Sequence, residues 1–471
     1  MYKTEDELWA CYQQGRYISV RAAKPRGSRG WRWCFAKTVA AAACGNKAAA
    51  RRYLSLFLQT RGASAQRADL IRALAGYLPD TALGLLDRKA KLPDGYEAAL
   101  LLRNGQVEQA RRYLAELPAK AFDAAPELLL LRANAFGGTP AELLRCVNGF
   151  FRAHGLPAVR LRDAACAPSP VNMVAAGSVK AVDGPLVSVL MTTFQTGARA
   201  AAAASSILAQ SYRNLELIVV DDASGDDTPG LLRGLAQHDN RIRFIALPRN
   251  VGTYAAKLMG LQLARGEFVT CHDSDDWSHP EKLARQVAPL LGDAQLAATV
   301  SYWVRMQDDG LFHTRQVYPL LRMNLSSLLF RRAQVLREAG AWDCVRTGAD
   351  SEFWARLRRV FGDKACVRVR QPLSLGSHRD DSLMTQHHTG YAKNTGVSLP
   401  RIAYWEAWSH WHDAVIAAGQ KPFLPAEIRA AVASRPFPVA AEQGISVQDV
   451  EACLREVDIL AGFLQTAGAQ G

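Results

Sequence analysis

The sequence predicts an α/β protein: a Rossmann-like, mostly parallel sheet in the middle of the chain, preceded by an all-α region and followed by a helical segment. Three observations predict this. Residues 5–165 are rich in Ala, Leu and Arg at helical spacing and nearly lack β-branched clusters. From Leu186 onward, short apolar runs alternate with helical stretches, the pattern of a parallel sheet covered on both faces. From about Tyr391 the helical pattern returns, with Trp405, Trp408 and Trp411 on a shared helix face that suits packing against the central domain or a membrane-facing stripe. The expected boundaries are 1–167 for the helical region, 168–184 for a Pro/Gly/Ser/Ala linker, 185–392 for the α/β domain and 393–471 for the helical extension.

A chain of 471 residues is too long for one ordinary core, so several packed units are expected. Its 49% hydrophobic and 21% charged residues are those of a globular protein, and no apolar run reaches the roughly 18 residues that span a bilayer. The polar start, Met1 to Glu7, lacks the pattern of a secretory signal, which predicts a cytoplasmic location. Nine cysteines occur singly, without metal-finger spacing, as buried thiols do. The formal charge of +13 invites anionic partners. No recognition motif accompanies it, so no nucleic acid partner is predicted. Between Arg16 and Lys37 there are seven Lys or Arg and no acid, with Trp31, Trp33 and Phe35 interleaved. That mix fits either a solvated basic loop or a peripheral contact at the inner face of a membrane.

Within the helical region, Gly45-Asn46 precedes Ala50-Arg-Arg-Tyr-Leu54, and Asn104-Gly105 precedes Ala110-Arg-Arg-Tyr-Leu114. The match is compatible with helix pairs of the tetratricopeptide kind, which would offer a surface for a protein partner, and equally with a plain bundle.

The α/β part opens with a strand, Leu186-Val-Ser-Val-Leu-Met191, then a helix over 200–210 and a second strand, Leu215-Glu-Leu-Ile-Val-Val220. A helix near 231–237, a strand over 243–247, a helix over 253–264 and a strand over 268–271 follow. In open parallel sheets the ligand sits beyond the carboxyl ends of the strands. Here those ends carry Thr192-Thr193, Asp221-Asp222 and His272-Asp-Ser-Asp-Asp276. No GxGxxG follows the first strand and no GxxxxGK(S/T) occurs, so phosphate is not held by a glycine-rich cradle. Carboxylates cannot neutralise a pyrophosphate; they can hold Mg²⁺ or Mn²⁺, which bridges to it. Alone, an Asp-x-Asp-Asp is also an ordinary solvated turn or helix cap.

The order Thr-Thr-Phe, Val219-Val-Asp-Asp-Ala-Ser224, Asn250-Val-Gly252, Ala264-Arg-Gly-Glu-Phe268 and Asp273-Ser-Asp-Asp276 runs over about ninety residues. It resembles the family 2 glycosyltransferases of the GT-A fold. Downstream, Gly348-Ala-Asp-Ser-Glu-Phe-Trp354 is similar to the acidic motif of that family. The resemblance implies an inverting, divalent-metal-dependent transferase of hexosyl type, using a nucleotide-sugar donor (a UDP-sugar favoured) and a glycan or lipid-linked acceptor. It would act in cell-surface polysaccharide or lipopolysaccharide biosynthesis. It further implies Asp350 as general base, Thr193, Asp222, Lys257 and Asp273 as donor-binding residues, and Asp275 and Asp276 as metal ligands. His378, in Gly376-Ser-His-Arg-Asp380, matches a late histidine loop that in some relatives completes the metal shell or closes over the donor. Two departures stand out: Gln195 where Asn is usual, and Ala349 where Glu is usual before the base. The competing expectation is a helical scaffold carrying a degenerate, nucleotide-binding domain.

Overall fold

A computed structural model of the chain describes residues 2–27, 29–87, 91–380, 382, 390 and 396–468. The expected boundary at 392/393 lies outside these. The chain divides into two compact units, each assembled from three segments. The first comprises Met1–Gly155, Arg305–Leu321 and His378–His410; the second comprises Leu156–Val304, Arg322–Ser377 and Trp411–Gly471.

In the first unit, helices of 6–14 residues run from Glu5–Gln13 to Pro140–Ala153. The two similar segments occupy equivalent places: each is the turn and second helix of a packed pair, Trp31–Ala43 with Lys47–Leu58 and Asp94–Arg103 with Val107–Glu116. Gly45 and Gly105 close those turns at φ of +79° and +72°, where a side chain is strained. In the run from Arg16 to Lys37 the cations divide: Arg21, Lys24, Arg26, Arg29 and Arg32 are exposed, whereas Arg16 and Lys37 are buried. Trp33 and Phe35 are buried in the helix Trp31–Ala43. Lys37 is buried as well, its ammonium donating to the carbonyls of Arg21 and Ala23. Two later segments complete the unit through polar bonds. Asn134 exchanges two 2.7 Å hydrogen bonds with the backbone of Phe312, and Glu127 accepts from the amides of Leu320 and Leu321. Arg16 donates to the Ser409 hydroxyl and carbonyl at 3.0 Å, Glu406 accepts from Ser19, and Trp405 donates to the Gln14 carbonyl. Trp405 therefore holds the N-terminal helices within this unit.

The second unit is built on a mixed sheet. Its strands are β1 (Val187–Thr193), β2 (Leu215–Asp221), β3 (Ile242–Ala246), β4 (Phe268–Asp273), β5 (Trp277–Ser278), β6 (Ala298–Met306), β7 (Leu329–Arg331) and β8 (Cys366–Ser377). They lie in the order β3-β2-β1-β4-β7-β6-β8-β5. β3, β2, β1 and β4 are parallel; β7 joins β4 antiparallel and begins an antiparallel extension. Every residue of β1 and β2 is buried, which is why apolar residues dominate both; the buried Ser188 donates to the buried Glu216. Val187, Val189, Met191, Leu217 and Val219 pack on Ala200, Ala204 and Ile207 of the helix Ala198–Leu208 and on Leu283 and Val287 of Lys282–Gly292. Each such aliphatic side chain contributes about 1.5–3 kcal/mol on burial. On the opposite face, Gly260 brings the helix Thr253–Gln262 down on the sheet: a Cβ there would sit 3.2 Å from Val220.

The stretch expected as a linker is partly folded. Val159–Leu161 pairs antiparallel with Met173–Ala175, and Pro168 to Pro170 are buried. The Asn172 side chain satisfies four backbone groups of residues 163–167, giving Pro- and Ser-rich residues a fixed shape that composition does not reveal. Among the described residues, no helix is long and apolar enough to cross a membrane.

Candidate functional site

Chain order reverses at β1, with β2 and β3 to one side and β4 to the other, so a crevice opens beyond the ends of β1 and β4. Register aligns the polar ends: Thr193 pairs with Asp221, and Thr192 with Asp273. Thr192 shares a 2.7 Å hydrogen bond with Thr253 at the start of the helix Thr253–Gln262, and the hydroxyls of Thr193 and Thr196 are 2.5 Å apart.

Asp222 is buried, and both its oxygens receive backbone amides: Val251 donates to Oδ1 at 2.7 Å and Gly252 to Oδ2 at 2.8 Å. Burial outweighs those bonds and pushes its carboxyl up to about 6. The residue thus holds the Asn250-Val-Gly252 loop, whose Asn250 accepts from Arg346. Two strained positions flank this corner, Gln195 at φ +50° and Ala223 at φ +64°. Asn, usual where Gln195 stands, tolerates that region better. Phe194, between Thr193 and Gln195, is 45% exposed.

The acidic turn after β4 separates into distinct roles. The side chain of Asp273 is 33% exposed, and Asp275 is half-buried. Asp276 is buried, and its Oδ1 accepts the amide of Ser377 at 2.9 Å, tying the turn to β8.

Asp350 opens the helix Ala349–Phe361, one residue after Ala349 and two after Gly348 at φ +92°. The helix N-terminus favours the carboxylate form. Behind it, Phe353, Phe330 and Trp342 meet edge to face at 5.0–5.8 Å, and the buried Glu352 and Arg356 pair at 2.8 Å, so the helix start is rigidly placed. Lys257, fully enclosed, reaches Asp350 Oδ1 at 3.7 Å and Asp273 Oδ1 at 3.9 Å. Burial alone would pull its ammonium down. Asp350 foremost, then Cys271, Asp273 and Tyr254, reverse this and hold it above the usual lysine range. Tyr254 donates to Asp350 Oδ2 at 2.9 Å. One cation therefore joins a strand-end carboxylate to a helix-start carboxylate distant in sequence.

His378 counts with the first unit by its contacts, whereas Asp275 and Asp276 count with the second. Its amide donates to the Met306 carbonyl at 2.9 Å, and its ring stacks on His313 at 3.8 Å.

The profile of glycosyl transferase family 2 matches residues 188–359, which hold every one of these groups except His378. Over this segment the chain resembles the family 2 glycosyltransferases. Relatives include an uncharacterized glycosyltransferase of Haemophilus influenzae, 35% identical over 107 residues, which are 23% of this chain and 43% of that protein. Others are the glycosyltransferase GlyG of Streptococcus pneumoniae, 30% identical over 154 residues (31% and 50%), and the putative teichuronic acid biosynthesis glycosyltransferase TuaG of Bacillus subtilis, 32% identical over 124 residues (26% and 49%). The chain thus spans half or less of the length of these relatives. A solved structure of S. aureus TarS 1-349 in complex with UDP-GlcNAc aligns at 19% identity and a TM-score of 0.34, over 42% of this chain and 59% of that one.

Among the described residues, no three His, Cys, Asp or Glu side chains are gathered where they could hold a metal ion. Mg²⁺ and Mn²⁺ do not require that, since one or two carboxylates with substrate phosphates and water complete their shells. Asp273 and Asp275 fit such a site by chemistry and exposure; Asp276 is buried, with its Oδ1 accepting the amide of Ser377. Two side chains of the domain were not singled out by sequence. Tyr254 carries no motif and is recognisable only by lying one helical turn before Lys257. Arg346, which holds Asn250, belongs to no pattern.

Proposed function

We propose that the chain is an inverting, divalent-metal-dependent glycosyltransferase that moves a hexosyl group from a nucleotide sugar, a UDP-sugar favoured, to an acceptor hydroxyl. One observation carries this reading: Asp273 and Asp350 lie within 4 Å of the same buried ammonium, Lys257, at the switch point of the sheet. That arrangement sets a donor-side carboxylate beside a candidate base.

In this reading Thr193, Asp222 and Asp273 form the donor side, with the exposed ring of Phe194 available to stack on the nucleobase. Asp273 and Asp275 would hold the cation, which when bound offsets the charge developing on the departing nucleotide diphosphate. Lys257 orients Asp350. The Asp350 carboxylate accepts the acceptor hydroxyl proton as the new oxygen–carbon bond forms at the anomeric centre and the bond to the diphosphate breaks. Attack opposite the leaving group inverts that centre. The name of the Bacillus subtilis relative, which refers to teichuronic acid biosynthesis, supports a role in assembling a cell-surface polysaccharide.

The test uses purified protein with a panel of UDP-, GDP- and dTDP-sugars, with Mn²⁺ or with chelator, for wild type, Asp275→Ala and Asp350→Asn. One donor should bind and turn over only with metal; Asp275→Ala should lose binding, and Asp350→Asn should keep binding while losing turnover. Absence of binding by every nucleotide sugar under both conditions would overturn the reading.

A further inference from the structure

Tyr254 lies on the helix Thr253–Gln262, three residues before Lys257 and on the same face. It is 5% exposed, and its hydroxyl donates to Asp350 Oδ2 at 2.9 Å, while Lys257 stands 3.7 Å from Oδ1. The ammonium also sits 5.1 Å from the centre of the Tyr254 ring. One helix face therefore addresses both oxygens of a single carboxylate.

The geometry has a mechanical consequence. The terminal torsion of an aspartate is broad, so a carboxylate held through one oxygen can still turn about its Cβ–Cγ bond. Held at both oxygens, its plane is fixed. The helix that does the holding is itself referred to the sheet, through the hydrogen bond of Thr253 to Thr192 and the close approach at Gly260. Asp273, at the end of β4, belongs to the same edge. The orientation of Asp350 is thereby tied to the edge where the donor would lie.

We propose that Tyr254 is a positioning residue for Asp350: its hydroxyl fixes the plane of the carboxylate so that an oxygen faces the acceptor hydroxyl. This rests on Asp350 being the base of the proposed transferase. Tyr254 touches neither donor nor acceptor in this scheme and acts through Asp350 alone.

The test compares Tyr254→Phe with wild type and repeats the substitution in an Asp350→Asn background, measuring kcat and donor KM. Phe keeps the ring and its contact with Lys257 and removes only the hydroxyl. Misplacing a reacting group by about 1 Å costs on the order of a hundredfold in rate. The expected result is a fall in kcat of roughly ten- to a hundredfold, with donor KM within about twofold and no further fall of the residual turnover in Asp350→Asn. Wild-type kcat in Tyr254→Phe, a loss carried by KM, or an equal loss in both backgrounds would each overturn the proposal. Should Tyr254→Phe fail to fold, 3-fluorotyrosine at 254 preserves size, and its stronger donation makes the carboxylate less basic. At a pH where that phenol stays protonated kcat should fall, and an unchanged kcat overturns the proposal. Asp350→Asn as active as wild type would overturn the base assignment and this inference with it. A failure at Tyr254 alone leaves Asp350→Asn inactive and Tyr254→Phe unimpaired.

Discussion

Replacing Lys257 by Met should destabilise the protein and impair turnover, and the structure sets the scale. The ammonium is enclosed and faces two carboxylates at 3.7 and 3.9 Å. At an effective dielectric of about 20, each attraction is about 4 kcal/mol, against several kcal/mol for desolvating the ions. Removing one partner of such a buried group typically costs about 3–5 kcal/mol, because the remaining charge is left uncompensated. The exposure of Asp273, a third of its side chain, places the expectation at the lower end, about 3 kcal/mol. Urea unfolding of Lys257→Met, followed by far-ultraviolet circular dichroism, measures this. If the cost comes from unpaired carboxylate charge, Lys257→Met combined with Asp350→Asn should recover at least half of it. A single variant within about 0.5 kcal/mol of wild type, or a double variant no more stable than the single, would refute the reasoning.

Three further outcomes follow from other features. Asp222 titrates near 6 in the fold, above the ordinary carboxyl value near 4, so the folded state binds the extra proton between those pH values. Raising the pH from 4 to 7 should therefore cost about 2–3 kcal/mol through this residue, and the pH dependence of urea stability should flatten in Asp222→Asn. Ala223→Gly, at φ +64°, should raise stability by about 0.5–1 kcal/mol in thermal unfolding, since only glycine occupies that region without strain. Gly340→Ala should lose about 3 kcal/mol or more: φ is +76°, and a Cβ would lie 1.6 Å from the carbonyl oxygen of Leu424, breaking the bridge between those residues.

The α/β core was legible because burial on both faces writes itself into composition. β1 and β2 are mostly apolar, and Thr193 and Asp221 at their ends, like Asp273 at the end of β4, mark where the strands stop. Lys257 and Asp350 were nameable from the motif order, but their proximity was not, since it depends on how two helices approach the sheet. Tyr254 was invisible for the same reason. The basic run before Lys37 is solvated at Arg21, Lys24, Arg26, Arg29 and Arg32, whereas Lys37, on a buried helix, bonds to nearby carbonyls, a distinction that composition does not carry. The antiparallel extension after β4 was unread because β7 has only three residues and the longer β6 and β8 mix polar with apolar residues.

The segmented make-up of the first unit bears on how the protein is made. Its early helices end at Ala153, yet the backbone groups they hold at Phe312 and Leu320, and the Ser409 that Arg16 binds, are translated much later. At about 5–20 residues per second, synthesis from Gly155 to His410 takes roughly 13–50 s. During that interval the nascent helical unit stands on the ribosome without its last two pieces, its side chains for them unfilled. A chain stalled or cut before His410 leaves it unfinished, which makes truncation at its apparent end a poor route to an isolated domain.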